Sequence, residues 1–248
     1  MQHVNSKLNK DAVLKSIRSC LPEGRRDIEL HEPYFCGNEW KYVKECLDTN
    51  WVSSVGKFVD TFEQKLAEYT GAKRAFAVVN GTAALHISLK MAGVESGDEV
   101  LVPDLTFVAT ANAVTYCGAI PHFVDCESVS LGVDARALEK YLAGIAEIRG
   151  SVCCNRSTGR AIKVLVAMHT FGHPSDLDAI QTVCEKYQIT LIEDAAEALG
   201  SFYKDRHVGH HGKFAILSFN GNKTLTTGGG GAILTNDEKL GLKAKHIA

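Results

Sequence analysis

The chain has 248 residues, 45% hydrophobic and 23% charged, with a formal net charge of −2. That length suits one large domain or two small ones with a substantial core. The near balance of charge gives no reason to expect nucleic acid or an anionic membrane surface as a partner. The eight cysteines form no C-x-x-C pair, and most lie in apolar runs such as VTYCGAI and QTVCEKY. Cysteine behaves there as a small hydrophobe, so no metal site is expected. No stretch reaches the roughly 18 apolar residues of a membrane span, and the first residues lack a signal-peptide core. A cytoplasmic protein with reduced thiols is the expectation.

Residues 1–28 read as an N-terminal helical extension, a short amphipathic helix ending before Pro22. From there, residues 29–248 read as one domain. FVDTFEQKLAEYTG has helical spacing and closes on Gly71, a C-terminal cap. Strand AFAVV (75–79) is followed by helix TAALHISLKMAGV, strand EVLVPD (99–104) by helix TFVATANAVTYCG, and strand IPHFVDC (120–126) by helix ARALEKYLAGI. GSVCCNRSTGRA (150–161) reads as an exposed loop before strand AIKVLVAM (161–168). In SDLDAIQTVCEKYQI, Leu177, Ile180, Val183, Cys184 and Tyr187 share one helical face, with Ser175 as N-cap. TLIED (190–194), FAILSF and GGAILTN complete the strands. Nearly apolar strands alternating with helices predict an α/β fold with a mainly parallel sheet covered on both faces.

Ligands of such sheets bind beyond the carboxyl ends of the strands. Those ends carry NGTAA, DLTF, HTFG, DAAE and NGNK. Gly81 and Thr82 stand where a strand becomes a helix, either as an anion cradle or as an ordinary turn and cap. Phe107 is either core or a flat plate at the mouth of the sheet. Glu193 and Asp194 end an apolar strand, and alternation sends only one of them into a site, unless their role is to cap the next turn. Lys223 is either a solvated turn lysine or an amine aimed into a pocket, where desolvation favours the free nucleophile. The four glycines after it, 228–231, permit positive φ or close backbone approach. Taken together, an anion cradle, an aromatic plate, a strand-end acid and a strand-end amine are the groups that pyridoxal phosphate requires.

NGTAALHISL, PDLTFVATANAV, IEDAAEALGS and SFNGNKTLTTGGGG, in this order, resemble the DegT/DnrJ/EryC1/StrS sugar aminotransferases, which are fold-type I pyridoxal phosphate enzymes. IELHEPYFCGNEWKYVKECLDTNWVSSVGKFVDTFE further resembles the subgroup that aminates C4 of nucleotide-linked 4-keto-6-deoxy sugars in bacillosamine- and legionaminic-acid-type pathways. The resemblance implies the three-layer α/β/α large domain of the aspartate-aminotransferase fold, with the smaller C-terminal domain expected to be missing. It implies that Lys223 forms the internal Schiff base, Asp194 pairs with the pyridine nitrogen, and Phe107 stacks on the ring. It also implies that Thr82 with the Gly81–Ala83 backbone, and Ser218, hold the phosphate. Glu197 takes a position near the phenolic oxygen where relatives often carry Gln or His, and His169 is a further pocket candidate. HVGHH (207–211) is expected to be a hairpin tip rather than a metal site. The implied partners are a nucleotide sugar, L-glutamate and a second copy sharing the active site. The rival expectations are a silent domain that only binds or oligomerises, and a sugar dehydratase. Dehydratase relatives carry His at the Schiff-base position, so Lys223 speaks against that rival.

Overall fold

The computed structural model describes residues 9–24, 27–29 and 31–247. The parts of the expected N-terminal extension at 1–8 and 25–26 lie outside the described residues. Contacts divide the chain between residues 34 and 35, where the sequence reading placed the boundary at 28/29. The first unit holds helix α1 (Lys10–Ser19), which starts where the Asn9 side chain accepts the Ala12 N–H at 3.1 Å.

The second unit opens with α2 (Glu39–Asp48) and α3 (Lys57–Thr70). α3 ends on Gly71, whose φ of 76° is the left-handed cap expected of a glycine there. β1 (Arg74–Val78), α4 (Gly81–Met91), β2 (Glu99–Pro103), α5 (Val108–Tyr116), β3 (Ile120–Val124) and α6 (Ala135–Ile145) follow in turn. β4 (Ala146–Arg149) and β5 (Val152–Asn155) then form an antiparallel hairpin. This corrects the expected loop, because four residues on each side of a turn at 150–151 are enough to pair. β6 (Ile162–Met168), α7 (Leu177–Tyr187), β7 (Thr190–Asp194), the small strands β8 (Phe202–Tyr203) and β9 (Arg206–His207), β10 (Phe214–Ser218), β11 (Gly231–Thr235) and α8 (Glu238–Ile247) complete the order. The cap of α7 is Asp176, whose side chain accepts the Ala179 N–H, and not Ser175. The Ser175 hydroxyl instead donates to the Met168 carbonyl.

The seven-stranded sheet runs β1-β11-β10-β7-β6-β2-β3. The block from β10 to β3 is parallel, and β11 is antiparallel to both of its neighbours. Strand alternation then sorts the core. Val100, Val102, Val164, Val166, Ile192, Phe214 and Ile216 face α4 and α5. Leu101, Leu165, Ala167 and Leu191 face α6 and α7, with Leu177, Ile180, Val183, Cys184 and Tyr187 all buried as their spacing predicts. Ala75, Ala215, Leu217 and Leu234 pack with Leu66 of α3 and Ala195, Ala198 and Val208 on that second face. Three layers result, and each fully buried leucine such as Leu85 or Leu165 contributes about 1.5–3 kcal/mol from burial. β1 is an edge strand. The Glu63 carboxylate accepts its Ala77 N–H at 3.0 Å, which removes one open pairing group from that edge.

Candidate active site

β1 runs in the same direction as β10, because both are antiparallel to the strand between them. The carboxyl ends of β1, β6, β7 and β10 therefore meet at one rim of the sheet. They border a cavity of about 250 Å3 that Gly81, Thr82, Phe107, Asp194, Ser218 and Lys223 all line.

Lys223 lies in the connection from β10 to β11. The base of this connection is closed by Phe219 N–H to the Gly230 carbonyl at 2.9 Å and Thr227 N–H to the Phe219 carbonyl at 3.0 Å. Its side chain is 10% exposed, and Nζ sits 2.9 Å from Glu197 Oε1 and 5.6 Å from the centroid of the Phe107 ring. The amine thus points into the cavity, not into solvent. Both uses foreseen for the glycines occur. Gly228 and Gly230 have φ of 82° and 125°, and a Cβ on Gly231 would lie 2.5 Å from the Asn80 carbonyl carbon.

Asp194 and Glu193 point to opposite faces, as alternation requires. Asp194 is 4% exposed. It accepts the Thr110 hydroxyl at 2.7 Å and the Ala196 N–H at 3.2 Å, so it also caps the turn after the strand. Burial raises its pKa despite those two hydrogen bonds and the nearby Lys223 charge. Glu193 is buried on the other side of β7. Burial alone would push its pKa up, but the His169 hydrogen bond and the N–H groups of Gly212 and Gly209 bring it down to about 2.

Phe107 precedes α5 and is 62% exposed, so it is not core. Its N–H and the Thr106 hydroxyl both approach Met168 Sδ, which ties the plate to the end of β6. The first turn of α4 opens onto the same rim. The N–H groups of Gly81 and Thr82 have no partner within the helix, while Ala83 N–H donates to Asn80 Oδ1 at 2.8 Å. The structure thus differs from the expectation for Ala83, whose N–H is already taken by the cap. A Cβ on Gly81 would stand 3.0 Å from Ser218 Cβ and 3.3 Å from its hydroxyl, so the glycine keeps helix start and strand end in close contact.

Two residues escaped the sequence reading. Thr110 was hidden inside TFVATANAV. Its signal is a hydroxyl on the one buried face of α5, which it shares with Ala113 and Val114. Asn80 was passed over beside Gly81, although Asn before a helix start is a strong N-cap. HVGHH is not a hairpin tip: the tip is Lys204–Asp205, His207 ends β9, and the next residues wrap the Glu193 carboxylate. Among the described residues no group of three metal-ligating side chains occurs, and no helix is long and apolar enough to cross a membrane.

The model of the DegT/DnrJ/EryC1/StrS aminotransferase family matches residues 35–248. GDP-perosamine synthase of Caulobacter vibrioides is 43% identical over 220 residues, covering 89% of this chain and 55% of the relative. The putative pyridoxal phosphate-dependent aminotransferase EpsN of Bacillus subtilis is 39% identical over 90% of this chain and 55% of its own length. Among solved structures, the Helicobacter pylori aminotransferase PseC, involved in pseudaminic acid biosynthesis, superposes with a TM-score of 0.76. It is 29% identical, with 89% of this chain and 55% of that one covered. The chain therefore spans about half the length of these relatives.

Proposed function

This chain belongs to the DegT/DnrJ/EryC1/StrS aminotransferase family, and on that premise we propose that it supplies the cofactor site of an enzyme that moves an amino group from glutamate to C4 of a nucleotide-linked 4-keto-6-deoxy sugar. The family is pyridoxal-phosphate-dependent. The residues present fit that group: the close approach of Gly81 to Ser218 sets first-turn N–H groups beside the Thr82 and Ser218 hydroxyls at the cavity, the donors a phosphate needs. A buried carboxyl, an exposed ring and an enclosed amine stand around the same cavity. The observation that carries the reading is Lys223 Nζ, held inside the cavity between Glu197 and Phe107.

When bound, pyridoxal phosphate supplies an aldehyde for amines and a ring that accepts electrons once its nitrogen is protonated. Asp194, buried and short of partners, gives that nitrogen a carboxylate that only a cation fully satisfies. Lys223 would hold the cofactor through its amine, and as a free amine it would be placed to accept and return a proton at the carbon undergoing amination. Glu197 accepts a hydrogen bond from Lys223 Nζ at 2.9 Å and so holds the side chain toward the cavity. Phe107, whose ring lies 5.6 Å from Lys223 Nζ, would cover one face of the cofactor ring and keep water off it. Thr82, Gly81 and Ser218 anchor the phosphate.

The sugar specificity is supported by the GDP-perosamine synthases among the relatives. A second copy of the chain is the proposed partner. An apolar groove of about 1030 Å3 between α2 and α3, edged by Leu199 and Leu225 next to the site, supports that choice. The test is an absorbance spectrum with pyridoxal phosphate before and after glutamate, with borohydride reduction and peptide mapping done on a sample that has seen no glutamate. A spectral change on adding glutamate and a pyridoxyl group on Lys223 are expected. Label on another lysine with Lys223 free would overturn the assignment.

A further inference from the structure

The residue before Asp194 is a second buried carboxylate, and nothing in the chemistry above uses it. The two oxygens of Glu193 take four donors. Oε2 faces His169 Nε2 at 3.2 Å and the Gly209 N–H at 2.7 Å. Oε1 accepts the N–H groups of His211 at 2.8 Å and Gly212 at 2.7 Å. The His169 ring is fixed at its other nitrogen too, because Nδ1 accepts the Ser175 N–H at 3.2 Å. A ring nitrogen that accepts leaves its proton on the other, so Nε2–H donates to Glu193. The same residue binds the site strand through its backbone: His169 N–H donates to the Asp194 carbonyl at 3.0 Å. The His169 side chain lines the cavity while remaining buried.

The constellation admits only an anion. A glutamine at 193 would place its NH2 against two N–H donors whichever way it turned, so no rotamer would satisfy the site. A buried acid held at four points, adjacent in sequence to the functional acid, does more than fill space. It joins the back of β7 to the end of β6 and to the 209–212 backbone.

We propose that Glu193 is a positioning residue that clamps His169 and the 209–212 backbone, thereby fixing the peptide that carries Asp194 and aiming its carboxyl at the cofactor ring nitrogen. This rests on the cofactor reading above. Its distinguishing consequence is selectivity for that nitrogen, which general loosening of the fold would not touch.

The experiment compares the affinity of the protein for pyridoxal phosphate and for 1-deazapyridoxal phosphate, whose ring has carbon in place of the nitrogen. The wild-type protein should prefer pyridoxal phosphate by about tenfold or more, the worth of a charge-assisted hydrogen bond. Glu193→Gln should lose most of that preference, with affinity for the deaza analogue kept within about twofold, because the analogue never used Asp194. His169→Phe, which keeps a ring but removes both nitrogens, should also lose most of the preference, read as the ratio of the two affinities because this ring lines the cavity. It also decides the matter if Glu193→Gln does not fold. Equal losses for both compounds would reduce Glu193 to a structural role and overturn the proposal, as would an unchanged preference. Nitrogen-15 NMR of the wild-type histidines gives an independent reading: His169 should carry its proton on Nε2, and a proton on Nδ1 would overturn the clamp. A wild-type protein with no preference between the two compounds would remove Asp194 from its role, and this inference with it. A wild-type protein that binds neither compound would overturn the cofactor reading itself.

Discussion

Two buried carboxylates mark opposite rims of the sheet, Glu99 at the start of β2 and Asp194 at the end of β7. Glu99 accepts Asn155 Nδ2 at 2.9 Å, the Thr158 hydroxyl at 2.7 Å and a ring nitrogen of His122 at 2.8 Å, while the far side of that ring meets the Tyr141 hydroxyl at 3.0 Å. Burial would raise its pKa, but these hydrogen bonds outweigh burial and lower it. Among the described residues the Asp194 carboxyl accepts hydrogen bonds from Thr110 and Ala196 alone, and burial outweighs these and the His169 and Lys223 charges, so its pKa rises. An acid that the protein satisfies for itself holds structure together. An acid left short of partners beside a cavity is open to a cation from outside.

The sharpest test of the contrast is turnover. Asp194→Asn should retain cofactor but slow glutamate-dependent amination by roughly 10²–10⁴-fold, the scale on which a proton-managing group acts. Glu99→Gln should leave the rate nearly unchanged. Near-wild-type turnover of Asp194→Asn would erase the functional half of the comparison.

Stability should show the reverse order. Glu99→Ala strands the Asn155 amide and the Thr158 hydroxyl and should cost about 3 kcal/mol in urea unfolding. Asp194→Asn should instead stabilise the cofactor-free protein. A carboxyl whose folded pKa is raised favours folding while protonated and loses that contribution as pH rises through the folded value, so at neutral pH it is a burden. A drop in the urea midpoint for Asp194→Asn at neutral pH would contradict this. Glu193 has the opposite sign. Its stabilisation is present above the unfolded value of 4.5 and is lost as pH falls toward about 2, so acid unfolding of wild type should include a step that Glu193→Gln lacks.

The smallest effect belongs to the ring beside the amine. Phe107→Ala should weaken cofactor retention by about 0.5–1.5 kcal/mol beyond the area lost, and Phe107→Tyr should be mild. Unaltered retention in the alanine variant would leave Phe107 without a part in the site. Because the ring is largely exposed, the fold itself should tolerate either change.

The alternation of apolar strands and periodic helices was readable because both faces of the sheet are covered, and the strand-end positions of Lys223, Asp194, Phe107 and Thr82 followed from the parallel topology. What hid were features decided by tertiary pairing. The β4–β5 hairpin is too short to show a pattern in VCCNRS, and nothing local says that β11 inserts antiparallel between β10 and β1. Glu193 and Asp194 look equivalent in LIED, and only the packing distinguishes them: backbone N–H groups behind one, a cavity in front of the other. Thr110 was silent because a threonine in an apolar helix has several local uses, and its partner lies 84 residues away.

The insertion of β11 has a consequence in time. Among the described residues β1 has one strand neighbour, residues 231–235, and the start of α4 rests against Gly231 of that same strand. As the chain emerges during synthesis, β1 and α4 must wait for more than half of the molecule before they meet their partner. Such long-range pairing is slow to form. The first turn of α4 and the connection that carries Lys223 therefore reach their mutual arrangement only after Gly231 has joined the sheet.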